Sequence, residues 1–128
     1  MEEIFTIQKV AERTGLSAYT LRYYEHIGLI GPIRRALNGH RRYSEEDVNW
    51  VIFLKRLRSA GMPISTMLRY AALQRNPEET LEQRLDVLKE HERAVERRVQ
   101  KLKDHLNLIK FKIEYYSKLN DPSEDECP

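Results

Sequence analysis

Two groups of side chains in this 128-residue chain have the chemistry to hold a polyanion. The first is Ser17, Tyr19, Thr20 and Arg22, with Tyr23 next to it. Hydroxyls near a helix start can meet phosphates or base edges, and the planar guanidinium fork of arginine suits phosphate or guanine. The second is Arg34-Arg35 and Arg41-Arg42, on either side of Asn38-Gly39. Asn-Gly is a strong hairpin turn signal, so the four arginines would flank one turn. Alone, such a loop reads as an ordinary solvated loop. Beside the first group, it reads as a wing that reaches a nucleic-acid backbone.

Other chemistry is sparse. His26, His40, His91 and His105 have no metal-ligand spacing. There is no nucleophile–base pair and no phosphate loop, so neither an enzyme nor a cofactor is expected. The single cysteine, Cys127, sits beside Glu124, Asp125 and Glu126, which disfavour its thiolate. It is read as inert. One cysteine makes no internal disulfide, which fits a reducing, cytoplasmic setting.

The elements that would position these groups are mostly helical. Thr6 can cap a short helix that carries Ile7, Val10 and Ala11 on one face. Gly15 gives a tight turn, and Ser17 can cap a second helix running to about Ile27. Two short helices around Gly15-Leu16-Ser17 make a helix-turn-helix, whose second helix enters the major groove. In it, Leu21 packs back on the first helix. Tyr24 and Tyr23 are either packing or contact residues. Residues 29–43 lack helical period, with Arg42-Tyr43 suited to a strand. Ser44 can cap a third helix, with Asp47 as capping-box partner, ending at Gly61. A fourth carries Ile64, Met67, Leu68 and Ala71.

The last helix is the clearest. Asn76 and Pro77 suit its N-cap and first position, so it is predicted over 77–119, about 65 Å at ~1.5 Å per residue. Its apolar residues step by four and three: Leu81, Leu85, Leu88, Val95, Val99, Leu102, Leu106, Ile109, Ile113 and Tyr116, with Glu92 breaking the series. A small domain cannot cover that seam; a second copy of the chain can. The expected fold class is all-α with a small β wing: a winged helix-turn-helix over 4–75, a coiled-coil dimerisation helix over 77–119, and an acidic, unstructured tail over 120–128.

Charge follows this division. Residues 1–76 carry 12 Lys and Arg against 7 Asp and Glu, whereas residues 77–128 carry 10 against 13. The basic half suits a polyanion. No apolar run approaches the roughly 18 residues of a membrane span, and the acidic start Met1-Glu2-Glu3 does not resemble a secretion signal.

Leu21-Arg22-Tyr23-Tyr24-Glu25, then Gly28-Leu29-Ile30, then Asn38-Gly39-His40-Arg41-Arg42-Tyr43 resemble the signature of the MerR family. The order continues with a long apolar helix, Ala60-Gly61-Met62 and a final coiled coil, so the likeness covers roughly residues 4–119. It implies a bacterial, nucleoid-associated regulator of stress-response type, dimeric through an antiparallel coil, with promoter DNA and RNA polymerase as partners. Such proteins bend and untwist an overlong promoter spacer. By position, Arg22 and Tyr23 match recognition-helix contacts, and His40 and Arg41 match the wing tip. Arg58 lies near a backbone-contacting position; Arg34 and Tyr43 complete the expected DNA set. His40 and Pro63 depart from the family pattern.

The likeness is nearer to aldehyde- and electrophile-responsive members, through Asp47-Val48-Asn49-Trp50 and Tyr115-Tyr116. Arg56 stands where those carry a reactive cysteine, which excludes a thiol sensor there. No drug-binding domain is expected after the coil, and no effector is named by the sequence. The competing readings are a coiled-coil protein-binding module, an enzyme, and an architectural or excision factor.

Overall fold

Local side-chain bonds start three of the helices, where the free N–H groups of a first turn need acceptors. A computed structural model describes residues 3–121, and the chain divides into two compact units after Lys89. Helix α1 spans Ile7–Thr14, with Thr6 Oγ1 accepting from Lys9 N at 3.2 Å. It ends at Gly15, whose φ of 78° is left-handed. Helix α2 spans Ala18–His26, capped by Ser17 Oγ, which accepts from Thr20 N at 3.0 Å. Helix α3 spans Glu45–Ser59 behind a full capping box: Asp47 N donates to Ser44 Oγ and Ser44 N to Asp47 Oδ2. Helix α4 spans Ile64–Gln74 and starts at Pro63 without a side-chain cap.

Three short strands form one antiparallel sheet. Strand β1 is Ile4–Phe5, β2 is Arg34–Arg35 and β3 is Arg41–Ser44, in the order β1-β3-β2. Ile4 pairs with Ser44 and Phe5 with Tyr43; Arg34 pairs with Arg42 and Arg35 with Arg41. Strand β1 has no counterpart among the sequence expectations. Its partner lies some forty residues away, and two residues carry no readable period.

Val10 of α1, Leu21 of α2, Tyr43 of β3 and Val48, Val51 and Leu54 of α3 are fully buried together with Met62 and Met67. Each such aliphatic side chain contributes about 1.5–3 kcal/mol by leaving water. This core fixes α2 and the β2–β3 hairpin on one support.

Helix α5 spans Leu81–Leu119. Its start corrects the expectation at Asn76-Pro77. Asn76 Nδ2 donates to Glu79 Oε2, and Thr80 Oγ1 donates to the Leu73 and Asn76 carbonyls. The Arg84 guanidinium donates to the Pro77 carbonyl. These bonds hold residues 75–80 as a turn, so the helix begins at Leu81. Of the expected seam, Leu88 and Val95 are half-buried. Leu81, Leu85, Val99, Leu102, Leu106, Ile109, Ile113 and Tyr116 are exposed. Leu108, Phe111, Tyr115 and Leu119, off the seam, are exposed as well. Among the described residues no helix is long and apolar enough to cross a membrane. Pro122 to Pro128, with Cys127 and most of the expected tail, lie outside the described residues.

Candidate nucleic-acid interface

Helix α2 divides its residues by face. Leu21 and Tyr24 point into the core, while Tyr19, Arg22, Tyr23 and His26 are exposed. Their spacing of three and four puts the exposed four on one side of the helix. Tyr19 is 78% exposed. Tyr24 is packing, and Tyr23 is surface, their ring centroids 6.3 Å apart. Ser17 and Thr20 bond each other at 2.9 Å and cap α2, so their hydroxyls already do structural work.

The turn at the end of the β2–β3 hairpin is a three-residue loop. Ala36 N donates to the His40 carbonyl at 2.8 Å, enclosing Leu37, Asn38 and Gly39, and Gly39 takes φ 86°. A type I turn closed by a left-handed glycine has this form. Asn38 Oδ1 accepts from His40 N at 3.1 Å. Leu37 stands fully exposed at the tip, and His40 is exposed beside it. Sequence reading passed over Leu37 because one apolar residue in a loop carries no pattern.

The hairpin sets two arginine pairs on opposite faces. Arg34 faces Arg42, and Arg35 faces Arg41. Like charges directly opposite are destabilising. The Arg35–Arg41 face is compensated by Glu25 of α2. Its Oε1 accepts from Arg41 Nε at 2.6 Å and lies 4.0 Å from Arg35 Nη2; its Oε2 accepts from Ile33 N at 3.2 Å. Burial pushes the Glu25 carboxyl up, but the Arg41 and Ile33 bonds and the two guanidinium charges outweigh it, so it lies below its ordinary value. Among the described residues, Arg34 and Arg42 have no carboxylate within 4.0 Å. Their face is exposed, with Glu46 and Asp47 lining the same hollow.

Two expected contacts, Tyr43 and Arg41, are placed differently, and a third, Arg58, also makes a structural bond. Tyr43 is 0% exposed, and its hydroxyl has no hydrogen-bond partner among the described residues. It is a core residue, because strand alternation turns Arg42 outward and Tyr43 inward. Arg41 is not at the tip: it opens β3 and is held by Glu25, with its side chain 21% exposed. Arg58 is exposed, and its Nη1 donates to the Met62 carbonyl at 3.3 Å, tying down the end of α3.

Lys55 and Arg13 were not anticipated. Lys55 Nζ, on α3, donates to the Thr14 carbonyl at 2.6 Å and so fastens the turn between α1 and α2. Gly15 leaves room for it, since a Cβ there would sit 2.7 Å from Lys55 Nζ. Arg13 makes a two-bond fork on Glu45, both at 2.9 Å, and its guanidinium lies 4.9 Å from the Phe5 ring centre. The hydrogen bond with Arg13 lowers the Glu45 carboxyl. Nothing local in the sequence marks these pairs, which join residues 32 and 41 positions apart. Among the described residues no group of three His, Cys, Asp or Glu is set to hold a metal.

The family model for the MerR HTH family regulatory protein matches residues 5–72. The transcriptional regulator AdhR of Bacillus subtilis is 43% identical over 84 residues, 66% of this chain but only 60% of AdhR. An HTH-type transcriptional regulator of Haemophilus influenzae is 33% identical over 114 residues, covering 89% of this chain and 84% of that one. Among solved structures, HiNmlR, a MerR family regulator lacking the sensor domain and bound to promoter DNA, superposes with TM-score 0.83 at 32% identity. That match covers 92% of this chain and 94% of HiNmlR. The winged helix-turn-helix and long terminal helix therefore have their counterpart in known regulators, and the chain belongs to the MerR family of helix-turn-helix transcriptional regulators.

Proposed function

We propose that two copies of the chain pair along α5 and dock two α2–wing units on promoter DNA, bending and untwisting the spacer between promoter elements. The observation that carries this reading is the α2 face of Tyr19, Arg22 and Tyr23, on the same support as the exposed Arg34–Arg42 face. The helix would enter the major groove, with Arg22 reading a base or a phosphate. The wing arginines would neutralise backbone phosphates, and His40 and Leu37 would lie at its leading edge. Ser17, Thr20 and Arg58 would add backbone contacts beside their structural bonds. HiNmlR, solved on promoter DNA, supports the same docking here.

Pairing is supported by the exposed seam on α5, whose heptad spacing suits a second identical helix. The antiparallel sense of the coil is taken from the family. The energy of DNA distortion would come from phosphate contacts made by two separated units on one duplex. RNA polymerase is the partner that reads the distorted spacer, inside the cytoplasm. Transcription from a promoter with an overlong spacer tests the mechanism. A change in transcript on adding the protein supports spacer remodelling; an unchanged transcript from bound DNA contradicts it and favours an architectural DNA binder.

A further inference from the structure

Glu25 is a carboxylate in the last turn of α2, in a unit otherwise rich in arginine. Its charge has the wrong sign for a DNA-binding surface. Its side chain is only 16% exposed, so three interactions replace the water it has lost. Arg41 Nε at 2.6 Å and Arg35 Nη2 at 4.0 Å come from the two strands of the hairpin, and Ile33 N at 3.2 Å comes from the residue that leads into β2. One carboxylate on the candidate recognition helix thus touches both strands of the wing and its entry.

Without it, the hairpin carries four arginines in two directly opposed pairs. Such pairs push the strands apart. Strand β2 has only two residues and bonds to β3 alone, so few ladder bonds resist that push. Tyr43 and the pairing with β1 anchor β3, while on the β2 side the buried Ile33 and the Glu25 bonds are what aim the wing.

We propose that Glu25 is the positioning residue that fixes the wing to the recognition helix, so that this carboxylate strengthens DNA binding although its own charge repels DNA. The inference rests on the DNA-binding reading above. Simple electrostatics gives the opposite sign: removing a negative charge should tighten binding to a polyanion. Positioning gives weaker binding, because Arg34 and Arg42 lose their aim at the backbone. It also gives non-additivity. Once Arg34 and Arg42 are gone, only the leading edge at Leu37 and His40 remains, so Glu25 has much less left to position.

The test uses the full chain and a duplex that the wild-type protein selects from a random-sequence pool. Affinity is measured over a range of salt, with melting temperature alongside. Glu25→Gln keeps the shape and the acceptor for Ile33 N but removes the charge. The expected result is binding weakened roughly tenfold, the scale of one charge-assisted bond, with a shallower salt dependence as wing phosphates are lost. In an Arg34→Ala/Arg42→Ala background the same change should alter affinity less than about twofold, within the additivity error of independent sites. Equal or tighter binding by Glu25→Gln overturns the inference, and so does an undiminished loss in the double-alanine background. If Glu25→Gln does not fold, Glu25→Asp keeps the charge but shortens the reach to Arg41 and must also weaken binding, where unchanged binding would overturn the inference. A wild-type chain that selects no duplex sinks the DNA-binding reading itself, a failure distinct from either of those.

Discussion

At the residue scale, some side chains hold the candidate interface together and others face outward. Arg22 is exposed and tied to no carboxylate within 4.0 Å among the described residues, so its loss should leave the fold alone. Arg22→Ala is expected to weaken DNA binding by about 1–3 kcal/mol if it reads a base, with the melting temperature unchanged. Retained affinity in a titration would remove Arg22 from the contact set. Sequence pattern reached residues of this kind because a helix displays one face at a regular spacing. It did not reach Glu25, Lys55 or Arg13, whose partners lie 16, 41 and 32 positions away. Tyr43 was within reach. The alternation of a strand opposes it to Arg42, and an aromatic beside an arginine belongs on the inner face.

At the scale of elements, caps decided what was legible. Thr6, Ser17 and Ser44 act within three residues of themselves, so their helices start where the sequence says. The same local logic misplaced the start of α5. Thr80 bonds back to Leu73 and Arg84 to Pro77, and those contacts won over the Asn76-Pro77 signal. The turn between α1 and α2 depends on Gly15 for two reasons at once, its left-handed φ and the space it leaves for Lys55. Gly15→Ala should cost about 1–2 kcal/mol for the backbone alone and also disturb the bond from Lys55 to Thr14. Thermal melting should fall by several degrees, since about 1 kcal/mol shifts a domain of this size by roughly 4–8 °C. An unchanged melting temperature would mean that the turn relaxes freely.

At the scale of the whole molecule, the long helix was legible as an element, and the heptad spacing named the seam that the structure leaves exposed. The second exposed apolar set, Leu108, Phe111, Tyr115 and Leu119, lies outside that spacing. Val99 lies in the middle of the seam and is 44% exposed. Val99→Glu would place a carboxylate in the apolar seam of each chain, where pairing would strip it of water. Sedimentation should then give the mass of one chain in place of two. A mass still equal to two chains would contradict the seam.

The central claim is that a pair of chains binds duplex DNA through α2 and the wing. Its most direct test is the mass and salt dependence of the complex with a duplex selected by the protein. The account predicts two chains per duplex and an affinity that falls steeply as salt rises, as release of counterions from many phosphates requires. A folded protein that binds no duplex at low salt, or binds as a single chain, would contradict it.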